Sequence, residues 1–180
     1  CRTPDLAHTE TTQPHNLFRI ASVSKPITGV AIMTLVQNGQ LALSDHVFGP
    51  GGRLENHPYL GEVVYTDTRL NDITISQLLH HTGGWDRDPD CFPTPTTPYP
   101  YHEVGCDPIS VPLYVTQTLD ETNPMSKNAA IRFLMEHGLD HDPGTTYAYS
   151  NIGFLVLGRV IEQVTGMSYE EYVESAVFAP

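Results

Sequence analysis

From Asn151 to Val164 the chain places Phe154, Leu155, Leu157, Val160, Ile161 and Val164 at the spacing of a helical face, and Gly166 follows as a stop. A second apolar helix is expected from about Ser22 to Gln37, with Ile27, Val30, Ala31, Thr34 and Leu35 as its core face. Pro26 fits there because it falls in the first turn, and Asn38-Gly39 ends the helix. Two capping boxes, Thr74–Gln77 and Ser168–Glu171, open shorter helices, the first stopped by Gly83-Gly84 and the second running to about Val177. Ser126 caps a further helix to His137, ended by Gly138, and Asp142-Pro143-Gly144 turns the chain. Strand patterns are scarce, with Val63-Val64-Tyr65 the best short candidate. Residues 1–17 are polar, and 41–61 read as loop. The expectation is a mostly helical segment.

At 180 residues the chain fits one domain with a real core. Its formal charge of −12 argues against nucleic acid or anionic lipid as partner, since both need a basic face. No apolar run approaches the ~20 residues of a membrane span. The best, Gly29 to Val36, is short and sits behind Lys25. The N-terminus carries no signal-peptide pattern, and Cys1 reads as a cut point. Residues 86–125 form a long Pro-rich insertion loop holding Cys91 and Cys106. A disulfide between these two is expected, worth roughly 3 kcal/mol in the chain-entropy picture. Two unpaired thiols are the alternative. A disulfide favours an oxidising compartment, hence an extracellular or periplasmic location.

Ser22-Val23-Ser24-Lys25 puts a hydroxyl and an amine three residues apart at a helix start, where both side chains share one face. A serine alone is a poor nucleophile at neutral pH, and a neighbouring deprotonated lysine can activate it. A chain of this length holds about one S-x-x-K by chance, so the pair draws its meaning from segments further along.

Those segments are Ile73-Thr74-Ile75-Ser76-Gln77-Leu78-Leu79-His80-His81-Thr82-Gly83-Gly84 and Pro143-Gly144-Thr145-Thr146-Tyr147-Ala148-Tyr149-Ser150-Asn151-Ile152-Gly153. With Phe18-Arg19-Ile20-Ala21 leading into Ser22, the three in this order closely resemble the serine β-lactamase-related family, which includes class C β-lactamases, DD-peptidases and esterases. The resemblance spans nearly the whole chain and implies an α+β, transpeptidase-like fold. It implies Ser22 as acylated nucleophile and Lys25 as its base. It also implies Tyr149 in proton transfer and Asn151 in substrate binding, through the family's Tyr-x-Asn motif. The backbone N–H of Ser22 would supply part of the oxyanion hole. Without Ser22 and Lys25, Tyr149 and Asn151 read as a turn before a helix.

Two departures qualify the resemblance. The family's Lys- or His-x-Gly strand triplet should follow Tyr-x-Asn, and nothing after Asn151 supplies it; His81-Thr82-Gly83 has the letters but lies too early. The strands expected before the nucleophile and after the last helix are also missing, so the expectation over residues 1–180 is a single partial domain: the helical region with most of its antiparallel sheet absent, inactive on its own.

Other chemistries find little support. Gly138 breaks the helical register that would pair His137 with His141, so no metal is implied. His80 and His81 are read as favourable neighbours of a helix C-terminus. There is no G-x-S-x-G elbow and no Gly-rich phosphate loop, so no cofactor is implied. The reading is a serine hydrolase acting on an ester, amide or β-lactam in a small-molecule or peptide substrate, with oligomeric state left open. The alternative is a non-catalytic homologue or binding module of the same fold.

Overall fold

A computed structural model describes residues 12–88 and 107–179. The expected Cys91–Cys106 pair, and Cys1, lie outside the described residues. Among the described residues six α-helices follow one another: α1 (Ser24–Gln37), α2 (Ile75–Leu79), α3 (Pro112–Thr118), α4 (Lys127–His137), α5 (Asn151–Thr165) and α6 (Tyr169–Val173). A 3-10 turn, Ala21–Val23, leads into α1, and α6 runs on into a π turn, Glu174–Phe178.

Side-chain caps set the starts of α2, α4, α5 and α6. Ser126 accepts from Ala129 N, and Ser150 from Gly153 N, so α4 and α5 start where a hydroxyl covers an otherwise orphaned N–H. Thr74 and Ser168 form complete capping boxes with Gln77 and Glu171. Gly166 closes α5 at φ 70°, a left-handed conformation that costs glycine nothing.

Helix α5 is the centre of the packing, touching α1, α2, α4 and α6. Its buried residues, Ile152, Val156, Leu157, Val160 and Ile161 with two glycines, occupy more than one face. That is the pattern of a helix surrounded by others. A smaller cluster joins α3 to α4 through Val111, Val115, Leu119 and Ala129.

On α1 the buried side is Thr28, Ala31, Ile32 and Leu35, while Val30 is 52% and Met33 47% exposed. The expected face is thus rotated. Periodicity could not choose it because α1 is apolar on nearly every side, and Thr28 is drawn inward by hydrogen bonds to Ser24 O and the Tyr169 hydroxyl.

Among the described residues no strand forms, and the one ladder contact is an isolated antiparallel bridge between His46 and Thr74. Val63 caps a 3-10 turn and Val64 is 85% exposed, so Val63-Val64-Tyr65 has no partner to pair with. The irregular stretch before α2 still enters the core through Leu41, Val47, Phe48, Leu54, Leu70 and Ile73. Its backbone is satisfied by bonds such as Val47 N to Ile73 O at 2.9 Å and Leu54 N to Val47 O at 2.9 Å. Within the expected 86–125 insertion, Asp107 caps a 3-10 turn and Pro112 opens α3, so residues 112–118 are helical rather than structureless.

One polar staple fixes the turn that carries the chain toward Tyr149. Asp67 accepts from Leu139 N at 2.9 Å and from the Arg69 guanidinium at 2.7 and 2.9 Å, and Arg69 reaches Leu139 O and Asp142 at 2.7 Å. The hydrogen bond from Arg69 leads in holding the Asp67 carboxyl down at about 2, against an ordinary 3.8. A depressed carboxyl stabilises the fold fully above its ordinary value, and the contribution disappears as pH falls through about 2. Asp67→Asn is expected to lower stability at pH 7 by about 1–2 kcal/mol, a value discounted for the half-open setting of the pair. The difference from wild type should vanish near pH 2. Denaturant midpoints at the two pH values check this.

Candidate active site

Ser22 lies in the 3-10 turn ahead of α1, where residues three apart eclipse. Lys25 Nζ therefore reaches Ser22 Oγ, at 3.3 Å. The residue before the serine, Ala21, holds φ at 46°, a left-handed conformation that is uncommon outside glycine. Such strain collects at functional sites.

The opposite wall is the entry to α5. Ser150 is extended (φ −127°, ψ 125°), so its neighbours Tyr149 and Asn151 project to one side while its own hydroxyl turns back to cap the helix. Tyr149 OH lies 2.5 Å from Ser22 Oγ, and Asn151 Oδ1 accepts from Lys25 Nζ at 2.7 Å. The four residues singled out in the sequence thus meet: hydroxyl, amine, phenol and amide in one connected network. Lys25 Nζ also sits 4.6 Å from the Tyr149 ring centroid and 5.6 Å from that of Phe154.

Burial alone would push the Tyr149 phenol up. Hydrogen bonding to Lys25 and Ser22, with the charges of Lys25 and Arg87, outweighs burial and holds it below its ordinary value of 10. A phenol so held, against a serine hydroxyl, is equipped to take and return a proton.

Three further residues complete the site, and the sequence reading missed all of them. Asp107, buried at 5% exposure, accepts from Asn151 Nδ2 at 2.7 Å, while its other oxygen accepts from Ile109 N. This fixes the amide so that Oδ1 faces Lys25. Asn151 is therefore seen orienting Lys25, and what it has left for substrate is the second hydrogen on Nδ2. The guanidinium of Arg87 stacks 4.6 Å from the Tyr149 centroid. His81 packs on Tyr149 at 4.6 Å. The dipole reading suits His80, whose Nδ1 bonds the Ser76 carbonyl at 2.7 Å, but His81 turns away from its helix toward the site. Asp107-Pro108 carried a legible helix-start signal, yet its reach to Asn151 spans 44 residues and left no local trace.

Beside Ser22 opens a cavity of about 520 Å³, lined by Lys25, Ile109, Asn151, Phe154, Leu155 and Tyr169 among others. Its volume and mainly apolar wall suit a small-molecule site. Among the described residues no cluster of ligating side chains has the arrangement of a metal site, and no helix is long and apolar enough to cross a membrane.

A hydroxyl, an amine, a phenol and an amide thus meet in one hydrogen-bonded network at the mouth of a cavity. The chain belongs to the beta-lactamase family, whose model matches residues 2–180. It is 29% identical over 168 residues to a penicillin-binding protein of Bacillus subtilis, covering 92% of this chain and 29% of that one. It is 26% identical over 178 residues to a putative D-alanyl-D-alanine carboxypeptidase of Salmonella typhimurium, covering 97% and 34%. Among solved structures, a D-stereospecific amidohydrolase from Streptomyces superposes with a TM-score of 0.62 at 25% identity, over 91% of this chain and 42% of that one. The chain spans about a third of the length of the curated relatives it matches. Its helices fit the β-lactamase/transpeptidase-like fold of its structural neighbours.

Proposed function

We propose that the protein is a serine hydrolase that forms an acyl-enzyme on Ser22 with an amide, ester or β-lactam carbonyl. The observation that carries this reading is Ser22 Oγ held at once by Tyr149 OH at 2.5 Å and Lys25 Nζ at 3.3 Å. As Oγ bonds to the carbonyl carbon, its proton passes into the Tyr149–Lys25 pair. The backbone N–H of Ser22 offers one hydrogen bond to the developing oxyanion. Collapse of the tetrahedral adduct breaks the bond to the leaving group, which takes the proton back from Tyr149. Water then repeats the sequence to release the acid. The names of the relatives, a penicillin-binding protein, a carboxypeptidase and an amidohydrolase, favour an amide-type carbonyl. On this reading the exposed Val30 and Met33 of α1, with Val23 just ahead of it, are the surface against which the family's antiparallel sheet would pack.

Intact-mass analysis of the full-length polypeptide after exposure to a β-lactam or a fluorophosphonate is expected to show one covalent adduct, on the peptide containing Ser22. Labelling that survives Ser22→Ala overturns the nucleophile assignment. No adduct with either probe overturns turnover and leaves the binding-module reading.

A further inference from the structure

His81 is the least expected member of the site. Its backbone sits at φ 56°, in the left-handed region that favours glycine, although Gly83 follows two residues later and could have taken the turn. This conformation aims the ring at the segment bearing Tyr149. The His81 carbonyl accepts from Ala148 N at 2.8 Å, and its Nδ1 accepts from Ser150 N at 3.1 Å. In extended backbone, alternate N–H groups point the same way, so one residue takes both donors on that edge. Between them stands Tyr149, whose ring lies 4.6 Å from the imidazole at an interplanar angle of 30°. Phe154, at 5.0 Å, and Tyr147, at 5.8 Å, complete the ring's enclosure.

We infer that His81 is a positioning residue: its neutral imidazole clamps residues 148–150 so that the Tyr149 hydroxyl stays on Ser22 and Asn151 stays on Lys25. The inference rests on Tyr149 sharing the Ser22 proton during acylation. Accepting from Ser150 N requires a bare Nδ1, so the neutral ring carries its proton on Nε2. Protonation of Nδ1 replaces that acceptor by a donor facing a donor. It also adds a second cation beside Lys25.

The surroundings oppose protonation. Lys25 on α1 faces the ring, Tyr147 and Tyr149 flank it, Arg87 lies against Tyr149, and the neighbouring His80 is turned to Ser76. Among the described residues no carboxylate hydrogen-bonds the ring. Burial first, then the charge of Lys25, pushes the His81 imidazole below its ordinary 6.5. The clamp is therefore intact at neutral pH and is released as pH falls below that value.

The test uses two variants in the full-length polypeptide. Asparagine tolerates left-handed backbone, and its Oδ1 falls near the place of Nδ1 without titrating. His81→Asn is expected to acylate Ser22 close to the wild-type rate with the histidine-dependent acid limb gone. His81→Leu removes the acceptor and is expected to lose on the order of 100-fold at neutral pH, as misplaced reacting groups do, with the deficit narrowing in acid where the wild-type clamp is also released. A leucine variant that acylates at the wild-type rate, or an acid limb that persists unchanged in the asparagine variant, overturns the clamp. A readout independent of activity separates this from failure of the hydrolase reading. The ¹⁵N spectrum of the His81 ring should show Nδ1 unprotonated and titrating below 6.5, with the Ser150 amide shifting in step. A protonated Nδ1 at neutral pH, or a Ser150 amide indifferent to the titration, overturns the inference even if Ser22 never labels.

Discussion

Lys25→Ala is expected to slow acylation of Ser22 by roughly 100- to 10,000-fold, the range for loss of a general acid–base group. Lys25 Nζ is the one amine in the network, within reach of Ser22 Oγ and Asn151 Oδ1 and set against the Tyr149 ring. Its removal leaves the phenol without its nearest cation, so proton uptake from Ser22 loses both its relay and its electrostatic support. The fold should survive, because Lys25 occupies the first turn of α1 and the core is held from Thr28 onward. Lys25→Arg separates the two contributions, since a guanidinium keeps the charge but does not release its proton in proteins. Recovery by arginine would assign Lys25 to charge stabilisation, with Tyr149 alone carrying the proton. Single-turnover labelling followed by mass spectrometry gives both rates. A Lys25→Ala rate near wild type would remove Lys25 from the mechanism.

Leu157→Ala is expected to cost about 2–5 kcal/mol of stability, a large part of what a domain this size possesses. Leu157 is 0% exposed on α5, the helix that touches α1, α2, α4 and α6. Neighbours on four sides are pinned by their own packing and cannot collapse into the space, so the cavity persists. The loss should appear as a lower urea midpoint with an unchanged slope. The same helix begins with Asn151, so its loosening should weaken acylation too. A cost below about 1 kcal/mol would mean that α5 is not the centre of the core.

The legible parts of this fold are those coded within a few residues. Thr74 with Gln77, and Ser168 with Glu171, announce helix starts because the capping bonds close within one turn. Ser22 with Lys25, and Tyr149 with Asn151, are legible for the same reason: three- and two-residue spacings dictate a shared side. The face of α1 was not legible, because Val30 and Met33 are as apolar as Ala31 and Ile32, and only Tyr169 on α6 shows which way Thr28 turns. Val63-Val64-Tyr65 looked like a strand by composition, but a strand needs a partner and none is at hand among the described residues.

By itself, then, the sequence marked Ser22, Lys25, Tyr149 and Asn151 as candidates and set them at two helix starts, since local spacing and capping decide both. Only the tertiary structure brought those helix starts together, closing Ser22 on Tyr149 across 127 residues and Lys25 on Asn151 across 126. It alone recruited Asp107 to hold the amide and His81 to hold the segment between. The physical reason is that their partners are backbone and side-chain atoms far along the chain. Such contacts depend on how α5 packs against its neighbours, and no periodicity in the chain encodes them.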